Sequence, residues 1–327
     1  MIITRSPMRL TLGGGGTDLR SYYREFGGFV ISAAVDKYVY IHINEAFIAK
    51  ILVKYSKYEC VDSPDEVAHP IVREALRMLQ VSGPNLEIVS ISDVPAGTGL
   101  GSSGSFTTAL LRGLHALNGE VVRPEELAEE ACRIELDLLH EPIGKQDQYI
   151  ASFGGISCFE FHPDGSVAVS RLRLAPMTQY NLEDGLILFF TKYTRNASEV
   201  LRDQDTRSRQ GDRAMIENMH VVKRLGYESK AALEAGDLRG FAEIMHVHWE
   251  NKKRRTAGMS NGSINQYYQH ARSNGALGGK LIGAGGGGFL MFYTEDKTRL
   301  RRAMHDAGLR EVRFRFDFEG CKVLADS

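Results

Sequence analysis

Pro95-Ala96-Gly97-Thr98-Gly99-Leu100-Gly101-Ser102-Ser103-Gly104-Ser105-Phe106 is the stretch on which the reading of this chain turns. An alternating, strand-like run (residues 86–92) precedes it, and good helix formers follow over residues 107–117. A glycine loop therefore leads from a strand into a helix N-terminus. Such an end offers unpaired N–H groups and the positive end of a dipole, both suited to an anion. Glycines let the backbone approach a phosphate with no Cβ in the way. Ser102 and Ser103 add hydroxyl donors and a candidate Mg²⁺ ligand. A phosphorylated ligand, most simply a nucleotide, is what this loop is suited to hold.

Three alternatives compete for the loop. Gly99, Gly101 and Gly104 satisfy G-x-G-x-x-G, but a dinucleotide fingerprint also needs a βαβ unit and an acid about 20 residues on. Here Leu117-Asn118-Gly119-Glu120 and then Pro124 follow instead. A Walker loop needs Gly-Lys-Ser/Thr, and Lys280 after Gly279 is followed by Leu281. A ligand-free glycine turn leaves the long small, polar run before the helix without a reason.

Two more stretches bear on the choice. Ser6-Pro7-Met8-Arg9-Leu10-Thr11-Leu12-Gly13-Gly14-Gly15-Gly16-Thr17-Asp18 lies near the N-terminus, and Lys280-Leu281-Ile282-Gly283-Ala284-Gly285-Gly286-Gly287-Gly288-Phe289 lies near the C-terminus. With residues 95–104 they resemble, in order, the three motifs of the GHMP kinase superfamily, the second being P-x-x-x-G-L-G-S-S. The resemblance spans nearly the whole chain. It implies an α+β, two-domain GHMP kinase fold, with an N-terminal domain like ribosomal protein S5, a ferredoxin-like C-terminal domain and the active site between them.

Composition agrees with a globular enzyme. The 327 residues suffice for two domains, and 43% hydrophobic with 25% charged residues is ordinary for a soluble protein. A formal net charge of -1 argues against a nucleic-acid binder. Cys60, Cys132, Cys158 and Cys321 form no C-x-x-C pair and read as reduced thiols of a cytoplasmic protein. Residues 1–5 lack the apolar core of a signal peptide, and no apolar run suits a membrane span. Monomer and homodimer stay equally open.

Along the chain, Ile31, Ala33, Val35, Val39, Ile41 and Ile43 share one parity, predicting one long strand or two broken near Asp36-Lys37. Strands are expected over 48–55, 86–92, 186–191, 280–282, 289–293 and 312–318, with a hairpin over 154–174. Helices are expected over 69–80, 107–117, 124–139, 199–209, 214–225, 230–235, 238–249, 264–274 and 299–307. The change from strand-rich to helix-rich pattern puts the boundary between domains 1–175 and 176–327.

Glu135 falls on the apolar face of the helix over 124–139, where a carboxylate is costly unless paired or metal-bound. The family resemblance implies that Ser103 and Glu135 hold Mg²⁺ and that ATP lies on Pro95, Gly97, Gly99, Leu100, Gly101, Ser102, Ser103 and Gly104. It implies too that Asp147, in Gly144-Lys145-Gln146-Asp147-Gln148-Tyr149, lies near the acceptor as base or orienting group, with Arg9 beside it. Lys145 is a second cation candidate. Gly15, Gly16, Thr17 and Asp18 are expected at the sugar. Their G-G-G-G-T-D form, with Gly27-Gly28-Phe29-Val30, residues 144–149 and Thr194-Arg195-Asn196-Ala197-Ser198, resembles the members that phosphorylate D-glycero-D-manno-heptose 7-phosphate on its anomeric hydroxyl, a step toward nucleotide-activated heptose for surface polysaccharide. Fucose, galactose or a related sugar is the alternative acceptor, and a non-catalytic nucleotide or sugar sensor the alternative role.

A second phosphate on the substrate calls for a second anion site. Arg195 leads, with Arg20 behind it, because a guanidinium binds phosphate bidentately. Lys252-Lys253-Arg254-Arg255 is a further candidate for that site, although the run reads first as a solvated helix end. His246 and His248, two apart on a helix, point apart and make no metal pair, and Trp249 reads as packing.

Overall fold

The computed structural model describes residues 1–81, 83, 85–193, 197–256 and 258–327. The strands are β1 Ile2–Gly13, β2 Gly28–Glu45, β3 Ile51–Lys54, β4 Tyr58–Val61, β5 Leu86–Ser92, β6 Ile156–Phe161, β7 Val167–Arg171, β8 Leu186–Phe190, β9 Ala276–Leu281, β10 Phe289–Thr294, β11 Arg310–Val312 and β12 Lys322–Asp326. The helices are α1 Arg20–Phe26, α2 Pro70–Met78, α3 Ser102–Leu117, α4 Pro124–Cys132, α5 Gln146–Phe153, α6 Pro176–Gly185, α7 Ala197–Arg209, α8 Arg213–Glu234, α9 Leu238–Lys253, α10 Gly262–Ser273 and α11 Lys297–Asp306.

The long strand of single parity is β2, and it organises an eight-stranded sheet. One edge of β2 pairs with β1. The other is shared, Gly28–Ala33 bonding to β6 and Val39–Glu45 to β5. Pro7 lies opposite Tyr38 and Met8 opposite Val35, so Asp36 and Lys37 are an insertion within one strand rather than a break. The insertion adds two residues, which leaves the parity intact, and all six apolar residues named above enter the core. α3 lies against β1 and β2 on that face.

The second sheet is antiparallel, in the order β11-β8-β10-β9. α9 packs on β9, where a Cβ on Gly278 would stand 1.7 Å from the Ala242 carbonyl oxygen. Apolar side chains of both sheets and of α9 join in one core, from Leu10 and Ile31 to Leu188, Met291 and Phe241 of α9. The fold is the α+β arrangement expected.

Three expectations are corrected. The helix over 124–139 is α-helical only to Cys132 and then forms a π-helical turn, Arg133–Leu138. The wider turn keeps Glu135 buried at 1% exposure while Leu138, on the same face of an ideal helix, is 42% exposed. The separate helices over 214–225 and 230–235 are one, α8, and Gly226 within it marks a close approach to Gly14, 3.2 Å from its would-be Cβ, rather than a helix stop. The expected strand over 312–318 ends early. After β11 the chain crosses to the first sheet, bridging Phe316 to Val35, and β12 then pairs with β1. The C-terminal segment thus returns to the sheet of the N-terminal half, although β8–β11 all fall after residue 175. We propose that the division between the two units falls in the turn before α6.

Candidate active site

The loop between β5 and α3 reaches α3 through Gly101 in the left-handed region (φ 78). Gly97, Gly99, Gly101, Ser102 and Ser103 line a cleft of about 750 Å³ whose far wall is Tyr55, His69, Ile71 and Phe106. The His69 and Phe106 rings stack at 4.9 Å, and Tyr55 meets His69 edge-on at 4.7 Å. The second glycine run closes the cleft from the other half of the chain. A Cβ on Gly99 would stand 2.7 Å from the Ile282 carbonyl oxygen, and Gly283 and Ala284 line the cleft.

A smaller chamber adjoins it, lined by Gly15, Gly16 and Asp18 from the first motif and by His248, Lys252, Arg255 and Lys280. Arg9 and Asp147 line both cavities. Arg9 extends from β1, and Asp147 stands in the first turn of α5. The guanidinium makes a bidentate pair with the carboxylate, Nε to Oδ1 at 2.8 Å and Nη2 to Oδ2 at 2.9 Å, and its Nη1 donates to the Gly99 carbonyl.

Gly104 sets how closely α5 meets α3, because a Cβ there would lie 2.9 Å from Asp147 Cβ and 3.0 Å from the Gln148 backbone nitrogen. Gly104→Ala is expected to displace Asp147, lowering kcat by about 10–100-fold and stability by about 1–3 kcal/mol. Steady-state kinetics beside thermal unfolding measures both.

Glu135 is reached by hydrogen bonds from Gln148 Nε2 and the Ser103 hydroxyl. Burial, reinforced by the nearby Asp147 charge, raises its carboxyl to about 7 against the lowering effect of those hydrogen bonds. Among the described residues it makes no ion pair, the alternative that the sequence leaves open.

Asp18 is buried, and burial raises its carboxyl as well. It accepts from Gln146 N (3.1 Å), Gln146 Nε2 (3.1 Å and 3.2 Å) and Gly16 N (3.0 Å). Gln146 Oε1 in turn accepts from Thr11 at 2.7 Å. Asp18 therefore anchors the glycine loop to α5 while facing the chamber.

Several expected site residues stand elsewhere. Lys145 lines neither cavity; its ammonium bonds both Glu129 oxygens (2.6 Å and 2.9 Å) and the Gly165 carbonyl. Thr17 also lies off the chamber, its hydroxyl committed to the Gly14 and Phe29 carbonyls at 2.9 Å and 2.8 Å. Pro95 and Leu100 do not line the larger cleft. The Leu100 side chain is core and its carbonyl accepts from Arg9 N, while the Pro95 carbonyl accepts from Thr98. Gly104 packs against α5 instead of lining it. Arg20 lies in a separate groove, paired with Asp137 at 2.7 Å. Arg195 lies outside the described residues, as do Thr194 and Asn196.

The basic run at the C-terminal end of α9 corrects the solvated reading. Lys253 and Arg254 face outward, but Lys252 and Arg255 are buried at the chamber. His248 and Lys252, four apart, share one face of α9. His246 points elsewhere and bonds the Tyr268 hydroxyl at 2.8 Å.

This combination of a glycine-lined anion cleft, an adjoining polar chamber and an Arg–Asp pair where they meet suits group transfer from a nucleotide to a small acceptor. Comparison with known proteins makes the class specific. Residues 70–155 match the GHMP kinases N terminal domain and residues 229–309 the GHMP kinases C terminal domain. The D-glycero-alpha-D-manno-heptose 7-phosphate kinase of Campylobacter jejuni is 30% identical over 98% of each chain. A crystal structure of a D-glycero-D-manno-heptose 1-phosphate kinase from Bacteroides thetaiotaomicron superposes with TM-score 0.83 and 26% identity over 100% of both chains. A sugar kinase structure from Campylobacter jejuni gives 0.78 at 29% identity, covering 98% of this chain and 97% of that one. The chain belongs to the GHMP kinases. It is a phosphotransferase acting on an alcohol group, with ATP as donor. Among the described residues no helix is long and apolar enough to cross a membrane.

Proposed function

We propose that the protein transfers the γ-phosphoryl group of ATP to the anomeric hydroxyl of D-glycero-D-manno-heptose 7-phosphate, giving the 1,7-bisphosphate for nucleotide-activated heptose and surface polysaccharide. The observation that carries the phosphotransfer is the Arg9–Asp147 pair at the meeting of the two cavities. The acceptor is argued from the name of the Campylobacter relative and from the glycines Gly15 and Gly16 of the first motif, which line the chamber.

ATP lies with its adenine against Tyr55, His69, Ile71 and Phe106 and its phosphates on the loop before α3. The acceptor lies in the chamber beside Gly15, Gly16 and Asp18. Its hydroxyl donates to Asp147, which takes the proton as the oxygen bonds to the γ-phosphorus and the bond to the departing ADP oxygen breaks. Arg9 positions Asp147 and offsets charge on the transferred group.

Mg²⁺ fits the residues present. Glu135 is a buried carboxylate with no cation partner among the described residues, and it touches Ser103 at the edge of the nucleotide cleft. Ser103 and Glu135 would hold the ion, and so few protein ligands suit a metal that keeps waters and phosphate oxygens. When bound, the ion neutralises phosphate charge.

The test is ATP consumption with Mg²⁺ against the heptose 7-phosphate, the unphosphorylated heptose, mannose 6-phosphate, galactose and fucose. The expected result is strong turnover with the heptose 7-phosphate alone. Preference for a free hexose overturns the acceptor, and ATP binding without turnover on any sugar overturns the kinase reading.

A further inference from the structure

The chamber is charged asymmetrically. Its reactive end holds Arg9 and Asp147, which neutralise one another. The remainder carries Lys252, Arg255 and Lys280, with His248 beside them, and faces the single carboxylate Asp18. All four basic side chains are buried, Arg255 and His248 at 3% exposure. Burial and mutual repulsion push the Lys252 ammonium and the His248 imidazole well below their ordinary values, and burial with the Arg9 charge brings Lys280 to about 7. Basic groups buried this close together are costly to keep charged, and an anion facing them would restore their protons.

Two of these groups also have a buried nitrogen with no partner among the described residues: Arg255 Nη2, which is an N–H donor, and His248 Nε2, which donates in the tautomer that carries its proton there. The rest of the guanidinium is fixed, Nε donating to Asn218 Oδ1 at 3.0 Å and Nη1 to Gln204 Oε1 at 3.2 Å. Lys252 and Lys280 are steadied by backbone carbonyls, Lys280 by that of Leu12 at 3.0 Å and Lys252 by those of Leu281 and Gly283. Gly16 provides the space in front of Arg255, since a Cβ there would stand 2.8 Å from Nη1. None of the four lines the nucleotide cleft, so the wall is separate from the ATP phosphates.

We infer that Arg255, with Lys252, Lys280 and His248, forms the binding site for a phosphate ester carried by the acceptor at the end remote from the reacting hydroxyl. The inference rests on the sugar-phosphate reading given above. A phosphate monoester brings between one and two negative charges and several acceptor oxygens. That matches the unpartnered Nη2–H of Arg255 and a wall of basic groups that hold their protons best beside an anion. A neutral sugar could accept from Arg255 but would offer no charge to the wall.

The test compares wild type, Arg255→Ala, Arg255→Lys and Lys280→Met on the heptose 7-phosphate and on the unphosphorylated heptose, with ATP varied. In wild type, kcat/KM should favour the phosphorylated acceptor. In Arg255→Ala that preference should fall by about thirtyfold or more, the loss expected when one partner of a buried charged contact is removed. KM for ATP should stay within about twofold, and Arg255→Lys should fall between, keeping the charge without the fork. Inorganic phosphate should raise the melting temperature of wild type, and less that of Lys280→Met, which keeps a readout should Arg255→Ala fail to fold. Equal losses on both sugars, a loss confined to KM for ATP, or equal phosphate stabilisation of wild type and Lys280→Met overturns the inference. Wild type without preference for the phosphorylated sugar overturns the acceptor reading itself, and with it the inference.

Discussion

Asp147→Asn is expected to lower kcat by about 10²–10⁴-fold, the range for loss of a positioned proton acceptor, with KM for ATP little changed. The substitution keeps shape. An amide fits the same space against Gly104 and Gly101, where would-be Cβ atoms already stand about 3 Å from Asp147. The amide oxygen can still accept from Arg9, whose Nη1 retains the Gly99 carbonyl. What disappears is the charge and the ability to take a proton. The Asp147 side chain is 21% exposed, so solvent moderates the cost of leaving Arg9 without a counter-charge, and a loss of about 1–3 kcal/mol is expected. Kinetics on the heptose 7-phosphate and a melting curve separate the effects. A kcat within tenfold of wild type would show that Asp147 neither takes nor directs the hydroxyl proton.

The strand, loop and helix around residues 86–117 were legible because each signal is local: a period of two, a dense glycine run and a helix start. The parity of Ile31 to Ile43 was legible for the same reason, and burial of all six confirms it. Glu135 stood out as a charge on an apolar face, although its π-helical turn has no comparable signature in sequence. Membership of a motif proved a weaker guide than position. Thr17, Leu100 and Gly104 belong to the glycine motifs yet hold the backbone together, while Lys145, two residues from Asp147, turns to Glu129. The basic run was legible as a candidate anion site but reads first as solvated, because a charge run does not reveal which of its members a fold will bury. His248 and Lys252 do share a helical face, four residues apart. Only the close seat of α9 on Gly278 of β9 turns that face toward the chamber. Lys280 carried no signal of its own beyond opening the third motif at the start of an expected strand.

Glu135→Gln should separate the work of that residue from its cost. The folded protein holds the carboxyl at about 7, above its ordinary 4.5, chiefly because burial disfavours the charge. With a raised value the folded state binds more protons than the unfolded chain between those limits. The stability of the metal-free protein is therefore full below about pH 4.5 and is lost as pH rises through 7. The shift corresponds to about 3 kcal/mol. Gln is nearly isosteric and carries no charge, so at pH 8 the metal-free variant should unfold a few degrees above wild type. Activity should move the other way, falling about a hundredfold or more once the ion beside the phosphates is no longer held. Mg²⁺ with a non-hydrolysable ATP analogue should raise the melting temperature of wild type and scarcely that of the variant, since only binding to the folded state stabilises it. Opposite signs in stability and activity distinguish a metal ligand from a hydrogen-bonding hub for Ser103 and Gln148. A hub would lose both together, and a Glu135→Gln protein that melts lower yet keeps its rate would remove Glu135 from the metal site.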